Sequence, residues 1–449
     1  VVLGLARQGT ALARWLVGQG AQVTVSDVKP ADALGEAVRS LDGLSIRFEL
    51  GGHPVSLLDP CDVLCLSGGV PVDLPIVVEA RRRGIPLAND AQLFLERCPA
   101  KMIGITGSAG KTTTTALVGE MGRAAGRTTW VGGNIGNPLI GDLDSIQSGD
   151  VVVMELSSFQ LEIMTSSPPV AALLNITPNH LDRHPSLEAY VAAKARILDF
   201  QSAQDTAVLG YDDPLARSLV YRAPGRAWFF GKTIGRENPS AHAIVKDDRI
   251  VLVKDRDMPV CALSDIRLRG DHNVLNVLAA CALADAAGIA PEAMHAAITH
   301  FTGVAHRLQF VREVNGARYY DDGMATAPER LIAALKSFDE SIVLLAGGRD
   351  KHLPWDEAAE LINRRVRVLI VFGEMAELVE KAVADKRSVS GNLSGVHRVH
   401  TLAEAVKKAS EVARPGEAVL LSPGGTSFDA FKDFAERGDK FQEYVRELG

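Results

Sequence analysis

Cysteine is scarce in this chain. The five residues, Cys61, Cys65, Cys98, Cys261 and Cys281, form an odd and scattered set. Such a set excludes a disulfide framework and fits a reducing, cytoplasmic compartment. Cys61 and Cys65 flank an apolar run and read as core residues rather than as a metal site. Long hydrophobic runs are absent too. None approaches the ~20 residues that span a bilayer, so no membrane association is expected. A basic surplus is missing, since the formal charge is −7. That argues against nucleic acid as a partner, which demands a basic face. It leaves small anionic substrates open, because local Lys and Arg decide those. No internal repeat and no low-complexity tract occurs. The opening Val1-Val2-Leu3-Gly4 has no basic stretch and no cleavage site, so no signal peptide is expected. It reads as the middle of a strand, which predicts that the native chain starts a few residues upstream.

What is present is the balance of a globular protein, with 47% hydrophobic and 23% charged residues. A length of 449 residues suits about three domains. The most informative stretch is Met102-Ile-Gly-Ile-Thr-Gly-Ser-Ala-Gly-Lys-Thr-Thr-Thr-Thr115. A short apolar run enters a glycine-rich turn, then Lys111 and Thr112 open a helical pattern. Backbone N–H groups of such a turn point at an anion, Lys111 adds positive charge, and the Thr112 hydroxyl can reach Mg²⁺. ATP is therefore the expected energy source. The match to G-x-x-x-x-G-K-[ST] is not strict: Gly104 stands one residue early, and Ile105 takes its place.

Strand and helix signals alternate through the first ninety residues. Strands are expected at Val1–Leu5, Gln22–Ser26 and Asp62–Leu66, with a helix at Thr10–Gln19. The turn Gly4-Leu-Ala-Arg-Gln-Gly9 and Asp27 at the end of the second strand give a Rossmann-like pattern, although the glycine spacing matches G-x-G-x-x-G poorly. A second unit starts near Asn89. It contains the phosphate-binding stretch, a strand Val151–Met154 ending in Glu155, a strand Val170–Asn175, and a long helix Val274–Ala287 stopped by Gly288. It closes near Phe301. A third unit has strands at Ser341–Ala346, Val366–Phe372 and Ala418–Leu421. Loops at the ends of parallel strands gather at one edge and build a site. The expectation is an α/β protein of three domains: a Rossmann-like domain at 1–89, a central P-loop ATPase-type domain with a mostly parallel sheet at 90–302, and a Rossmann-like domain at 303–449.

Two residues stand out for chemistry. Glu155 ends an apolar strand beside the phosphate-binding strand, where a carboxylate can hold Mg²⁺ directly or through water; the alternative is an edge charge facing solvent. Lys194 interrupts an apolar stripe of Val191, Ala195 and Leu198, while Arg196 points the other way. A lone lysine there snorkels to water, or it sits in a cleft near metal charge. At its reference pKa, only roughly one lysine in 2,500 is neutral at pH 7. Burial and nearby cations free the amine, and a neutral amine adds CO₂ to become a carbamate.

Several collinear segments carry a family resemblance. They are Gly107-Ser-Ala-Gly-Lys-Thr112, Gly132-Gly-Asn-Ile-Gly136, Glu155-Leu-Ser-Ser-Phe-Gln160 and Asn175-Ile-Thr-Pro-Asn-His-Leu-Asp-Arg-His184. They continue with Ala192-Ala-Lys194, His272-Asn-Val-Leu-Asn276, His306-Arg307, Gly347-Gly-Arg-Asp-Lys351 and Leu421-Ser-Pro-Gly-Gly-Thr-Ser-Phe428. Across nearly its whole length the chain resembles the Mur ligases.

The resemblance implies an ATP-dependent amide ligase of cell-wall peptidoglycan synthesis. It would join UDP-N-acetylmuramoyl-L-alanine to D-glutamate through an acyl phosphate, as a monomer. Gly107, Ser108, Ala109, Gly110, Lys111, Thr112 and Thr113 would cradle ATP, with Asn273, Arg307 and Asp322 also on the nucleotide. Thr112 and Glu155 would hold one Mg²⁺, and His180 with carbamylated Lys194 a second. Asn134, Ser157 and His180 would face the alanyl carboxylate. Arg7, Gln8, Asp27, Lys29 and Ser67 would hold the uridine diphosphate. Thr326, Lys351, Ser427, Phe428 and Phe434 would receive D-glutamate. Read without the resemblance, Asn273 and Asn276 are helix-start residues, Lys351 an exposed loop lysine and Ser427 a helix cap.

The chain departs from the family pattern in three places. Met324 stands where a lysine is common, Asn179 where an acidic residue is common, and Ser67-Gly68-Gly69 where Ser-Pro-Gly is common. Two other readings stay open: a sister ligase (L-alanine-adding, or a folylpolyglutamate synthase) and a regulatory ATPase.

Overall fold

The computed structural model describes residues 1–178, 183–387 and 391–449. Three sheets carry the chain. The first comprises β1 (Val2–Leu3), β2 (Val23–Asp27), β3 (Ile46–Leu50), β4 (Leu64–Leu66) and β5 (Leu87–Ala88), in the order β3-β2-β1-β4-β5, all parallel. The second comprises β6 (Lys101–Thr106), β7 (Thr129–Gly133), β8 (Val151–Glu155), β9 (Val170–Leu173), β10 (Thr206–Gly210), β11 (Arg226–Gly231), β12 (Ala241–Lys246), β13 (Arg249–Leu252) and β14 (Met258–Ala262). Its order is β14-β13-β12-β11-β10-β9-β6-β8-β7, and only β12-β13-β14 run antiparallel. The third comprises β15 (Gln309–Val314), β16 (Ala317–Asp321), β17 (Ile342–Gly347), β18 (Val366–Phe372), β19 (Gly395–Arg398) and β20 (Ala418–Gly424). Its order is β15-β16-β20-β17-β18-β19, with β15 alone antiparallel.

The three sheets, mostly parallel, agree with the expected α/β class of three domains. The contacts gather the first two sheets into one compact unit, residues 1–267 with 272–301, and the third into another, residues 268–271 with 302–449. In the first unit the strands β6, β8 and β9 read as continuous apolar runs because both faces are covered: every residue of β8 and β9 is buried. One apolar core joins Leu12 and Trp15 of the helix Arg7–Gly18 to Phe94, Leu139 and Ile140. In the second unit two cores form on the two faces of the third sheet, one around Leu331, Ile362 and Val379, the other around Val406, Phe441 and Val445. All five cysteines are unpaired, and Cys65 is buried as expected. Among the described residues no helix is long and apolar enough to cross a membrane.

Several expected limits shift for local reasons. β1 ends at Leu3 rather than Leu5 because Gly4 turns left-handed, with φ of 88°. The first helix starts at Arg7, not Thr10, so Arg7, Gln8 and Gly9 are helical. β4 begins at Leu64, not Asp62. The long helix runs Asp271–Ala286, and a second, Pro291–His300, follows Gly288 with proline in its first turn, where the missing N–H costs nothing. The sequence reading has no counterpart for β10 to β14.

Candidate functional site

β6 delivers the chain into Gly107-Ser108-Ala109-Gly110, and the helix Lys111–Ala124 leaves it. Gly110 has φ of 84°, and a Cβ there would lie 2.2 Å from Oδ1 of Asn276, so glycine alone suits the position. The turn is pinned to the loop after β9. The Ala109 amide donates to Oδ1 of Asn175 at 2.8 Å, and the Ser108 amide to the Asn175 carbonyl at 2.9 Å. Oγ of Ser108 lies 3.0 Å from the Tyr190 hydroxyl. Lys111 Nζ donates to the Gly107 carbonyl at 2.8 Å and to that of Ser108 at 3.3 Å. Thr112 and Thr113 fall in the first helical turn, where amides and dipole favour an anion.

Glu155 is buried at the end of β8, which overturns the solvent-facing alternative. Its Oε2 accepts from the Thr112 hydroxyl at 2.8 Å and its Oε1 from Nδ2 of Asn134 at 2.9 Å. The Asn134 amide also donates to the Glu155 carbonyl at 2.9 Å. A hydroxyl and a carboxylate at this spacing are hard oxygen donors of the kind Mg²⁺ accepts, so the residues present fit that ion. Among the described residues no group of three or more His, Cys, Asp or Glu side chains is gathered for a metal. Mg²⁺ would complete its shell with water and phosphate oxygens.

Lys194 belongs to the helix Leu187–Asp199, whose start is set by Ser186 accepting from the Ala189 amide. The side chain does not snorkel. It is 2% exposed, and its Nζ donates to the Gly107 carbonyl at 2.9 Å and lies 4.7 Å from the centroid of the Tyr190 ring. Burial brings its pKa down to about 7, helped by the Lys111 charge and opposed by Glu155. Ala195 and Leu198 are buried beside it and Val191 is half-buried. Arg196 leaves the stripe as expected, and its Nε donates to the carbonyls of Leu161 and Met164 at 3.0 and 3.1 Å.

His180 lies outside the described residues. Ser157 heads a short helix in a reciprocal capping box with Gln160. Asn273 and Asn276 do sit at a helix start, joined by a 2.9 Å bond from Nδ2 of Asn276 to Oδ1 of Asn273. A cavity of about 280 Å³ opens beside the turn, lined among others by Ala109, Leu174, Asn175, Phe230 and Asn276. The sequence reading assigned no role to Tyr190, Asn175 or Phe230. Tyr190 stands four residues before Lys194, on the same helical face, which was the available signal.

In the first sheet, strand order reverses between β1 and β4, which places the crevice there. Ser67 Oγ donates to the Gly4 carbonyl at 2.9 Å, and the Gly68 amide to Oε1 of Gln8 at 3.2 Å. The Asp27 carboxylate accepts from the Leu5 amide at 2.7 Å and the Lys29 amide at 2.9 Å. It therefore holds the turn's shape. Arg7 donates from Nη2 to the Asn134 carbonyl at 3.5 Å, toward the second sheet. Lys29 is exposed.

In the second unit, loops after β16, β17 and β20 meet. Lys351 Nζ donates to the Thr326 hydroxyl at 3.2 Å. Asp322 is buried, accepts from the Ser422 hydroxyl at 2.8 Å, and is pushed up to about 7 by burial. Ser427 is buried and caps no helix; its carbonyl accepts from the Phe431 amide at 2.9 Å. Phe428 and Phe434 are exposed. Arg437, absent from the sequence reading, is fully buried and donates to the carbonyls of Thr426, Gly323 and Gly425, each at 3.0 Å. It ties the loops after β16 and β20 together.

Residues 1–89 match the Mur ligase MurD-like N-terminal domain, residues 105–284 the Mur ligase middle domain, and residues 306–425 the Mur ligase glutamate ligase domain. A UDP-N-acetylmuramoylalanine–D-glutamate ligase of Symbiobacterium thermophilum is 43% identical over 100% of this chain and 97% of its own. One of the same name from Acetivibrio thermocellus is 39% identical over 100% and 96%. Among solved structures, UDP-N-acetylmuramate-alanine ligase from Thermotoga maritima aligns with a TM-score of 0.58 at 20% identity, over 99% of this chain and 98% of that one. At that identity the likeness concerns the fold.

Proposed function

This chain belongs to the Mur ligase family, and we propose that it is the cytoplasmic ligase that uses ATP to add D-glutamate to UDP-N-acetylmuramoyl-L-alanine. The observation that carries the proposal is that Lys111 and Lys194 donate to one and the same carbonyl, that of Gly107. Two ammonium groups held this close repel, unless one loses its proton or an anion lies between them. A phosphate-gripping lysine beside a lysine poised to be neutral suits a ligase. A regulatory ATPase has no need of the second.

Roles follow for this chain's residues. The turn 107–113 binds the phosphates of ATP, and Thr112 with Glu155 holds Mg²⁺, which when bound neutralises charge on the transferring phosphoryl group. The neutral amine of Lys194 adds CO₂ with loss of a proton, giving an anionic oxygen donor for a second ion, together with His180. Asn134 and Ser157 orient the alanyl carboxylate. That carboxylate attacks the γ-phosphorus, the bond to the β–γ bridging oxygen breaks, and ADP leaves. The amine of D-glutamate, held by Thr326, Lys351, Ser427, Phe428 and Phe434, attacks the acyl phosphate; phosphate departs and the nitrogen loses its proton. Asn273, Arg307 and Asp322 contact the nucleotide. Arg7, Gln8, Asp27, Lys29 and Ser67 hold the uridine diphosphate. The proposed domain limits are 1–89, 90–302 and 303–449, and the proposed working form is a monomer.

The test is phosphate release from ATP with UDP-N-acetylmuramoyl-L-alanine, offering D-glutamate, L-glutamate or L-alanine. Release that requires D-glutamate is expected. Release independent of any amino acid would reassign the chain to the regulatory class, and L-alanine-dependent release with UDP-N-acetylmuramate in place of the alanyl substrate to the sister ligase.

A further inference from the structure

β6 and β9 run side by side, and their pairing does not stop where the strands end. The Leu174 amide donates to the Thr106 carbonyl at 3.0 Å, and the Ser108 amide to the Asn175 carbonyl at 2.9 Å. Beyond Ser108 the phosphate turn curls away through Gly110 into the helix Lys111–Ala124. There the carboxamide of Asn175 takes over from the backbone. Its Oδ1 accepts from the Ala109 amide at 2.8 Å, and its Nδ2 donates to the Ala109 carbonyl at 3.1 Å. A side-chain amide carries the donor and the acceptor of a peptide group, so it extends the pairing by one unit, whereas an aspartate offers acceptors only.

Ser108 closes the pairing from the opposite side. Its Oγ accepts from the Thr177 amide and donates to the Thr177 carbonyl, each at 3.0 Å. That bond uses its one proton, so the Tyr190 hydroxyl, 3.0 Å away, is the donor of the third contact. Gly107 permits the close approach of the two loops. A Cβ there would lie 3.0 Å from Cβ of Leu174 and 3.4 Å from the Asn175 nitrogen.

These bonds divide the turn. The amides of Ser108 and Ala109 and the Ser108 hydroxyl are committed to the loop after β9. An anion is left to the start of the helix Lys111–Ala124, because the first amides of a helix have no intrahelical partner. Where those amides point depends on the last fixed residue before them. That residue is Ala109, held at its amide and its carbonyl by one side chain. Gly110 follows at φ of 84°, and glycine has the widest conformational freedom of any residue. Without the grip on Ala109 the turn has several ways to run.

We propose that Asn175 is a positioning residue for the triphosphate: its carboxamide fixes Ala109 so that the amides opening the helix Lys111–Ala124 point at the anion before it binds. It raises affinity by lowering the cost of ordering the turn, and its own amide group is spent on Ala109. Every part of the device lies within one compact unit. The inference deepens the ATP reading given above and rests on it.

The test uses the full chain with Asn175→Ala, which removes both bonds, and Asn175→Asp, which keeps the shape and the acceptor but loses the donor. Calorimetric titration with ATP and, separately, with inorganic tripolyphosphate is expected to show each ligand bound at least about tenfold more weakly by Asn175→Ala. Equal losses for the two ligands place the effect at the phosphates. In nucleotide-free protein, hydrogen exchange should quicken in the peptide 106–112 of both variants and keep wild-type rates in β8 and β10. In turnover, KM for ATP should rise while kcat at saturating ATP stays near wild type. Wild-type affinity in Asn175→Ala, a loss confined to ATP, or faster exchange throughout the unit would each overturn the proposal. If Asn175→Ala does not accumulate as folded protein, Asn175→Asp carries the test by exchange, a readout with no anion present for the added charge to repel; wild-type rates at the turn in that variant would refute the role. A wild-type protein that binds both ligands but shows no D-glutamate-dependent release would sink the proposed reaction and leave the titrations to decide the positioning role. One that binds neither would sink the ATP reading and this inference with it.

Discussion

Replacing Lys194 by arginine or alanine is the perturbation that bears most directly on the site. With its pKa brought down to about 7, roughly half of the Lys194 amine is neutral at pH 7, against roughly one part in 2,500 for an ordinary lysine, a gain on the order of a thousandfold. Only the neutral amine reacts with CO₂. Arginine keeps the positive charge at any accessible pH and cannot form the carbamate. Alanine removes the group and leaves Lys111 as the one cation of the pair on the Gly107 carbonyl. Both variants are expected to lose turnover by at least about a hundredfold, the scale of removing one preorganised electrostatic contact. Both should still bind ATP, because the amides of the turn and Lys111 remain. The assays are phosphate release for turnover, calorimetry for ATP, and ¹³C NMR of wild-type protein in labelled bicarbonate for a carbamate carbon. Turnover near wild type in Lys194→Arg, or no carbamate signal in the wild-type protein, refutes the reasoning.

Other expectations follow from single positions. Gly110→Ala puts a Cβ 2.2 Å from Oδ1 of Asn276 at φ of 84°, a strain of about 1–3 kcal/mol; ATP affinity by calorimetry should fall about tenfold or more, and unchanged affinity would mean that the turn rearranges freely. Asp90 is buried, and burial lifts its carboxyl from 3.8 to about 6 against Gln160, backbone amides and Arg7. The folded state therefore holds that proton more tightly, a stabilisation present at low pH and lost as pH rises through 6. Asp90→Asn should gain on wild type by about 1.4 kcal/mol between pH 5 and pH 7.5 in urea unfolding, and a constant difference across that range would show that the carboxylate is solvated.

The parts of the site that could be read from sequence are those whose chemistry is local. The phosphate turn is contiguous: an apolar strand, glycines, Lys111 and a helix follow one another. Glu155 is legible because one charge ends a run of four apolar residues, and Lys194 because it breaks a helical stripe. Periodicity gives each of these away within about four residues. The residues that complete the site come from far along the chain. Asn175 grips the Ala109 amide across 66 positions, and Asn276 fills the space that Gly110 leaves open. Both stand in the segments that carry the family resemblance, yet neither breaks a local periodicity, so their contacts with the turn cannot be read from their neighbours in sequence.

The second unit shows the same limit more sharply. Phe-Ala-Glu-Arg-Gly-Asp-Lys, residues 434–440, reads as a polar, solvated stretch weakened by a glycine. Folded, its arginine is fully buried on three carbonyls and its glycine makes room for His306 and Asp321. A buried guanidinium costs several kcal/mol unless its donors are met; Nη1 and Nη2 of Arg437 are met by carbonyls of loops after two non-consecutive strands, while its Nε is buried without a partner among the described residues. The helix can therefore take this pattern only once β16 and β20 lie side by side. That dependence makes Arg437 and Gly438 consequences of the assembled sheet, and it explains why a reading of neighbours in sequence passes over both.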